Sequence, residues 1–590
     1  MVHLLVKSSP LLIFVFLYLF YLLLSKYKAY EYPIVITSLG KLQGKNLKLQ
    51  DGHVANLFLG IPYAEPPIGT NRFKKPVKKL PWKGLLTVDE YQKTCFSHVI
   101  NIQNIANYSE DCLFLNIITP DLRETKKLPV VIWIHGGGYS TGGGSSFNIN
   151  DISNIFTKNK IIFVTIQYRV GVLGWLYIKD NNKSMHNIGY WDQAMALNFI
   201  YDEINRFGGD KDKITILGGS AGAASAGALT ISPITNHMID KVIELSGSFL
   251  SKWSDFDIKN LEENSQLFIS KMKCKNNNFD NTINCLQNKG MEDILEINKD
   301  IYDNYNTLQF GAFGPTISGE FFPDSIISGI KRSKNIVSFS GLTTEEAGYF
   351  TILGKSKKIN KMILDKNSIK DLNSSFLTNF VDEKILKYTF NINNKGIRNE
   401  LVEKILDFYL YKKYNNESEI DTKIIAKIYT KILSDIQFNL PCLNLAILRN
   451  TLRHTNYFYQ TSYYNPNWYD EGIKDFLNTS THTSEYWYFL GQSSTGNFIT
   501  SNNDEAFRKT FNDLLINFIK SERSSDNDVL NKYLMKKKGF VKLNDRMYLP
   551  DYFIKLDKNI SFSDRLPFLE RYAFWDELDT YYNLNLFIKV

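Results

Sequence analysis

Residues Lys213 to Gly222 read KITILGGSAG, and their reading decides the fold. The branched apolar run Ile214 to Leu217 has the composition of a strand buried on both faces, and it runs directly into Gly218, Gly219, Ser220, Ala221 and Gly222. The pattern is G-x-S-x-G after a strand. A small-residue segment, Ala223 to Leu229, follows at once and reads as a helix, which puts Ser220 on a sharp strand-to-helix turn with its hydroxyl clear of the backbone. Such a turn accepts only small neighbours. Glycine at 218 and 222 meets that demand, because a Cβ at either place would clash as the helix folds back on the strand. An ordinary tight turn has the same spacing, so a nucleophile needs partners elsewhere in the chain.

Upstream, Leu128 to Ile134 is a continuous apolar strand that opens into His135, Gly136, Gly137, Gly138 and Tyr139. Three glycines after a buried strand describe either a plain flexible loop or a set of backbone N–H groups bared toward a ligand. A phosphate-binding loop is excluded, since Thr141 to Ser146 (TGGGSS) lacks the Gly-Lys-Ser/Thr ending that holds phosphate and Mg²⁺. An HGGG-type loop together with the N–H of Ala221, the residue after the serine, makes an oxyanion hole the sharper reading. Lys160 to Tyr168 is the next apolar strand, and Gly189 to Phe199 carries helical spacing. Strands alternating with helices imply an α/β fold with a large, mostly parallel sheet covered on both faces, and the elbow stands at a strand's C-terminal end, where such sheets place ligands.

An acyl-transfer serine on this type of elbow takes its acid and then its histidine later in the chain. Of the eight histidines, His454 and His482 follow the region of the candidate acids. His454 precedes the aromatic strand NYFYQTSYY and reads as an element-end residue, whereas His482 lies in the polar loop NTSTHTSE and suits a side chain aimed into a cleft. Glu345 and Glu346, in GLTTEEAGYF after an apolar strand at Ile336 to Phe339, are both placed to orient a histidine.

Composition sets the remaining bounds. The 590-residue chain has 44% apolar and 22% charged residues, ordinary for a globular protein, and shows no internal repeat or linker. Its net charge of +8 is spread over Lys-rich loops without a continuous basic stripe, which argues against nucleic acid as a partner. Lys7 followed by fourteen apolar residues, Leu11 to Leu24, makes residues 1–29 a signal peptide or an uncleaved signal anchor; the run is short of the roughly 17 to 25 residues that span a bilayer. The expected location is secreted or extracellular, or membrane-anchored with the body lumenal. Six N-x-S/T sequons, at Asn107, Asn182, Asn373, Asn416, Asn478 and Asn559, agree with that route. Five cysteines suggest two pairs and one remaining thiol: Cys95 with Cys112 and Cys274 with Cys285 could close short loops, leaving Cys442, though spacing does not fix the connectivity. No Cys/His cluster has metal-ligand spacing, so neither a metal nor another cofactor is expected.

From about residue 32 to 580 the chain resembles the type-B carboxylesterases of the cholinesterase-like α/β-hydrolase family. The likeness is carried by FLGIPYAEPPIGTNRF, SEDCLFLNI, HGGGY, YRVGVLGWL, FGGDKDKITILGGSAGAAS, FGPTISGEFFP and YAFWDEL. The resemblance implies an α/β-hydrolase fold with residues 30–590 as one catalytic domain, a small-molecule ester substrate, Ser220 as nucleophile, Glu346 as acid and His482 as base. It further implies oxyanion donors at Gly137, Gly138 and Ala221, ion pairs Arg72 with Glu110 and Arg169 with Asp192, and disulfides Cys95 with Cys112 and Cys274 with Cys285.

The departures bear on substrate. The family usually has Glu before the nucleophile, and Gly219 stands there; the segment from Cys95 to Cys112 lacks the tryptophan on which cholinesterases stack choline. Glu485, the family's other acid near the histidine, therefore lacks its usual partner. Gln309 and Gly311 replace the acyl-pocket phenylalanines and imply a wider acyl site, and Leu440 and Tyr572 replace a third disulfide. A neutral-ester hydrolase is the expected function. The alternatives are a cholinesterase and, from another class, a catalytically weak or inactive adhesion protein on the same fold.

Overall fold

The computed structural model describes residues 32–589 apart from 98–105, 123–125, 146, 182, 306, 334, 354–360, 365–368, 415–419, 470, 492–499, 522–539, 545–546, 551–552, 558–559 and 564–567. The leader expected at 1–29 and the sequons at Asn182, Asn416 and Asn559 lie outside the described residues. The main sheet has eleven strands, numbered here by themselves: β1 Lys45–Lys48, β2 Val54–Pro62, β3 Phe114–Thr119, β4 Leu128–Ile134, β5 Ile162–Ile166, β6 Gly209–Gly219, β7 Lys241–Leu245, β8 Val337–Thr343, β9 Thr455–Thr461, β10 Phe553–Leu556 and β11 Ile560–Ser563. Their order is β11-β10-β9-β8-β7-β6-β4-β5-β3-β2-β1. From β5 through β10 every pairing is parallel, and antiparallel strands close both ends.

Alternation along each strand explains why both faces are covered. In β4, Val130, Ile132 and Ile134 join one apolar cluster while Val131 and Trp133 join the other. In β6, Ile216 and Leu217 divide the same way. A strand whose two faces both meet helices has no polar side, hence the continuous apolar runs in the sequence. Helices α1 (Ile188–Glu203) and α2 (Ala221–Ile231) contribute Ala194, Ala196, Ala224 and Ala228 to the first cluster. Of the later helices, α3 spans Leu440–Thr451 and α4 Tyr486–Leu490, and α5 (Asn502–Lys520) lays Phe507, Phe511 and Leu515 into the second. The strand expected at Lys160 to Tyr168 is shorter, and that expected at Ile214 to Leu217 is longer at both ends.

The expected ion pairs and disulfides form. Arg72 grips Glu110 with Nε and Nη2 at 2.5 and 2.6 Å, and Arg169 grips Asp192 at 2.7 and 2.6 Å. Bonds close between Cys95 and Cys112 and between Cys274 and Cys285, and Cys442 is a buried free thiol. Leu440 and Tyr572 are fully buried. Packing thus replaces the third crosslink, and Asn444 Nδ2 donates to Tyr572 Oη at 3.4 Å. Among the described residues no helix is long and apolar enough to cross a membrane.

Arg169 and Asp192 are 3% and 0% exposed, so removing the carboxylate leaves a buried guanidinium without its counter-charge. Asp192→Ala is expected to cost about 3–5 kcal/mol. Urea unfolding checks this as a lowered midpoint with an unchanged slope.

Candidate active site

The parallel register brings the C-terminal ends of β4, β6, β7 and β8 level: Gly218 pairs with Ile134, Gly219 with Leu245, and Leu245 with Gly341. Each strand then delivers a turn to the same edge. At the end of β6 the chain reverses at Ser220, whose φ of 57° and ψ of −126° lie in a strained region for a residue with a Cβ. That conformation costs of order 1–3 kcal/mol and persists only where the surroundings fix it. Here Ser220 N donates to Leu245 O at 2.8 Å and its carbonyl accepts from Ala224 N at 3.1 Å. A Cβ on Gly218 would collide with the Gly222 carbonyl, and one on Gly222 with that of Ile134. The glycines therefore serve as the sequence predicts.

At the end of β4, Gly137 and Gly138 have φ of 111° and 59°. A Cβ on Gly137 would press on the Thr141 backbone and one on Gly138 on the Phe310 side chain, so the loop is held tightly rather than flexible. Among the described residues nothing accepts a hydrogen bond from the N–H of Gly137, Gly138 or Ala221. His135 is not a reacting group: it is buried, stacks on Tyr168 at 4.3 Å, bonds the Gly136 carbonyl through Nδ1 at 2.9 Å, and burial holds its pKa down at about 4.

The structure selects between the paired glutamates. Glu346 Oε2 accepts from His482 Nδ1 at 2.6 Å, and both side chains are buried. Glu346 Oε1 accepts from Thr343 N at 2.6 Å and Ser246 Oγ at 2.7 Å. Glu345 instead makes a backbone bridge to Thr481, which helps hold the histidine loop. His454 is an element-end residue, its Nδ1 accepting from Ile336 N at 3.2 Å. His482 Nε2 is buried and, among the described residues, has no hydrogen-bond partner. Rings of Phe438, Phe350 and Tyr349 surround the imidazole at 4.6, 5.1 and 6.3 Å.

Two residues that sequence reasoning passed over complete the acid cluster. Ser246, at the end of β7, lies 3.0 Å from Glu485 Oε1, and Tyr459 Oη donates to the same oxygen at 3.1 Å. Burial first, and then the negative charge of Glu346, pushes the Glu485 carboxyl up to about 8, so at pH 7 it keeps its proton. The hydroxyls then align in one direction: Tyr459 to Glu485, Glu485 to Ser246, and Ser246 to Glu346. Every step places a donor on an acceptor, and the far end steadies the carboxylate that faces His482. The available signal for Ser246 was its place after a parallel strand in register with the elbow.

Gln309 and its neighbour Phe310 point to different places. Gln309 turns away, its Nε2 donating to Lys252 O at 3.3 Å, and helps line a polar cavity of about 400 Å³ with Lys252, Asp255 and Tyr305. Phe310 turns inward and packs on Phe350 at 4.8 Å and Trp253 at 5.6 Å. The site is thus bounded on that side by phenyl rings.

The sequence model of the carboxylesterase family matches residues 31–559. The chain is 30% identical to gut esterase 1 of Caenorhabditis briggsae over 491 residues, 83% of this chain and 84% of the relative. It is 31% identical to gut esterase 1 of Caenorhabditis elegans over 459 residues, 78% and 79% of the two chains. Similarity to the acetylcholinesterase of Danio rerio, at 32% identity, extends over 54% of this chain and 52% of that one.

Because the folded state holds the Glu485 proton more tightly than the unfolded chain does, this group favours folding at low pH. Its contribution is lost as pH rises from 4.5, the ordinary value, to about 8. Glu485→Gln is expected to flatten that part of the stability profile, read as the change in urea midpoint between pH 5 and pH 8 in buffers matched for ionic strength, against the same change in the wild type.

Proposed function

The chain belongs to the carboxylesterase family of carboxylic ester hydrolases, and we propose that it cleaves neutral carboxylic esters through an acyl-enzyme on Ser220. The carrying observation is a serine held at φ 57° on the elbow beside a buried histidine whose Nδ1 is fixed by Glu346 at 2.6 Å. With Nδ1–H committed to Glu346, Nε2 is the basic nitrogen left to receive the serine proton. The hydrogen bond from Ser220 Oγ to Nε2 forms in the substrate complex, a tightening that hydrolase sites commonly show.

The alkoxide attacks the ester carbonyl, and the N–H groups of Gly137, Gly138 and Ala221 receive the oxyanion. Each such donor supplies about 3–4 kcal/mol of transition-state stabilisation. His482 then gives its proton to the departing alkoxide, and the alcohol leaves. Water, activated by the same imidazole, attacks the acyl-enzyme and releases the acid. Throughout, the aligned hydroxyls behind Glu346 keep its carboxylate supplied with donors, so the imidazolium that forms meets an ordered counter-charge.

Neutral esters are favoured over choline esters because Gly219 provides no carboxylate beside the nucleophile and Glu485 is itself neutral at pH 7. The presence of serine, histidine and acid together also favours an enzyme over a purely adhesive protein. Residues 30–590 are read as one catalytic domain. An N-terminal apolar run, two disulfides and exposed sequons at Asn107, Asn373 and Asn478 support passage through the secretory route. Asn373 Oδ1 caps a helix by accepting from Phe376 N at 3.0 Å, which leaves Nδ2 for a glycan.

Burst kinetics with a neutral p-nitrophenyl ester test the assignment. Wild-type protein is expected to give a burst and Ser220→Ala none. Glu346→Gln is expected to lower kcat by roughly four orders of magnitude, as when a triad acid loses its charge. A burst that survives in Ser220→Ala, or a full rate in Glu346→Gln, would overturn the corresponding role.

A further inference from the structure

One residue beside the elbow has no part in the steps above. Tyr486, the first residue of α4, stands edge-to-face on Trp133 at 5.4 Å and reaches the elbow with its hydroxyl. A Cβ built on Gly219 would collide with Tyr486 Oη and lie 2.6 Å from Cζ. A Cβ built on Gly136 would lie 3.1 Å from Tyr486 Oη and 3.0 Å from Ser220 Cβ. The phenol end therefore fills the space between the elbow and the glycine loop, beside the nucleophile. Gly219 is required by this neighbour, since any side chain at 219 and the ring of Tyr486 compete for one volume.

The same hydroxyl is unsatisfied. Tyr486 Oη is buried and has no hydrogen-bond partner, a condition it shares at this site with His482 Nε2. Burial first of all keeps the phenol well above its ordinary pKa, so it is a neutral donor. A buried donor without an acceptor is a costly arrangement unless a ligand completes it. The two sides of the site then differ in kind: Phe310, Phe350 and Phe438 offer only apolar surface, and the Tyr486 side offers one O–H.

Resting on the esterase reading, we propose that Tyr486 is a specificity-determining residue, whose phenol replaces the side chain that position 219 lacks and whose O–H selects esters carrying a neutral acceptor oxygen on the arm over Gly219. A cationic arm gains nothing there, because it brings no acceptor and meets no negative charge.

Two isosteric ester pairs test this. In the alcohol arm, 2-methoxyethyl butanoate is compared with butyl butanoate; in the acyl arm, p-nitrophenyl 3-methoxypropanoate is compared with p-nitrophenyl pentanoate. For each pair the ratio of kcat/KM is measured in wild type and in Tyr486→Phe, so that intrinsic reactivity cancels. The expected result is a roughly fivefold fall in the ether-over-methylene ratio in one pair, the worth of one neutral hydrogen bond. Ratios unmoved in both pairs overturn the inference while leaving the esterase reading intact. A wild-type protein that cleaves none of the four esters overturns that reading, and this inference with it. The steric half has its own test: Gly219→Ala is expected to lose kcat/KM on p-nitrophenyl pentanoate, and adding Tyr486→Ala to recover at least tenfold. A double variant no better than the single one overturns the shared-volume claim.

Discussion

The approach of helix α2 to strands β6 and β4 is the constraint on which the site depends. Carbonyl oxygens of Gly222 and Ile134 occupy the places where Cβ atoms of Gly218 and Gly222 would stand, so helix and strand meet backbone to backbone. That contact forces the reversal at Ser220 into a positive φ, and the hydrogen bonds on either side of it bear the strain. A serine in a relaxed loop would expose its hydroxyl equally well without fixing its direction. Here the direction is set by the sheet, because the parallel register carries the neighbouring strand ends to the same level.

Around this fixed serine the electrostatics are arranged in low dielectric. Glu346 and Glu485 both contact Ser246 Oγ, and two charged carboxylates so close would repel strongly. Burial resolves the conflict by neutralising Glu485, which turns a repulsive pair into a directed chain of hydroxyls ending on the acid that holds His482. Among the described residues neither His482 Nε2 nor Tyr486 Oη has a hydrogen-bond partner.

Much of this was legible along the chain. The strand before Ser220, the glycine loop after β4 and the helices between them follow from apolar runs and short-range sterics, and the elements found differ from those expected mainly in their ends. The resemblance supplied the acid, the base and both disulfides. Residue pattern alone left Glu345 and Glu346 equal, and in the fold it is Glu346 that meets the imidazole. Ser246 and Tyr459 carried no local mark, since a serine after one strand and a tyrosine within another are ordinary residues until the sheet sets them beside a glutamate. Phe310 carried no local mark either, because whether Gln309 or Phe310 packs against Phe350 is a property of the loop's path.

What the sequence by itself determined, then, is whatever short-range physics enforces: small residues where backbones must touch, continuous apolar strands where both faces are covered, and a serine at the turn between them. What only the tertiary structure decided is every relation between residues distant in the chain. Gly219 reads in sequence as the loss of an acid and in space as room for the phenol of Tyr486. Glu485 reads in sequence as an acid without its usual partner and, once buried beside Glu346, keeps its proton at pH 7. The reason is the same in both cases: the volume open to a side chain and the solvation available to a carboxyl are set by neighbours that only folding brings together.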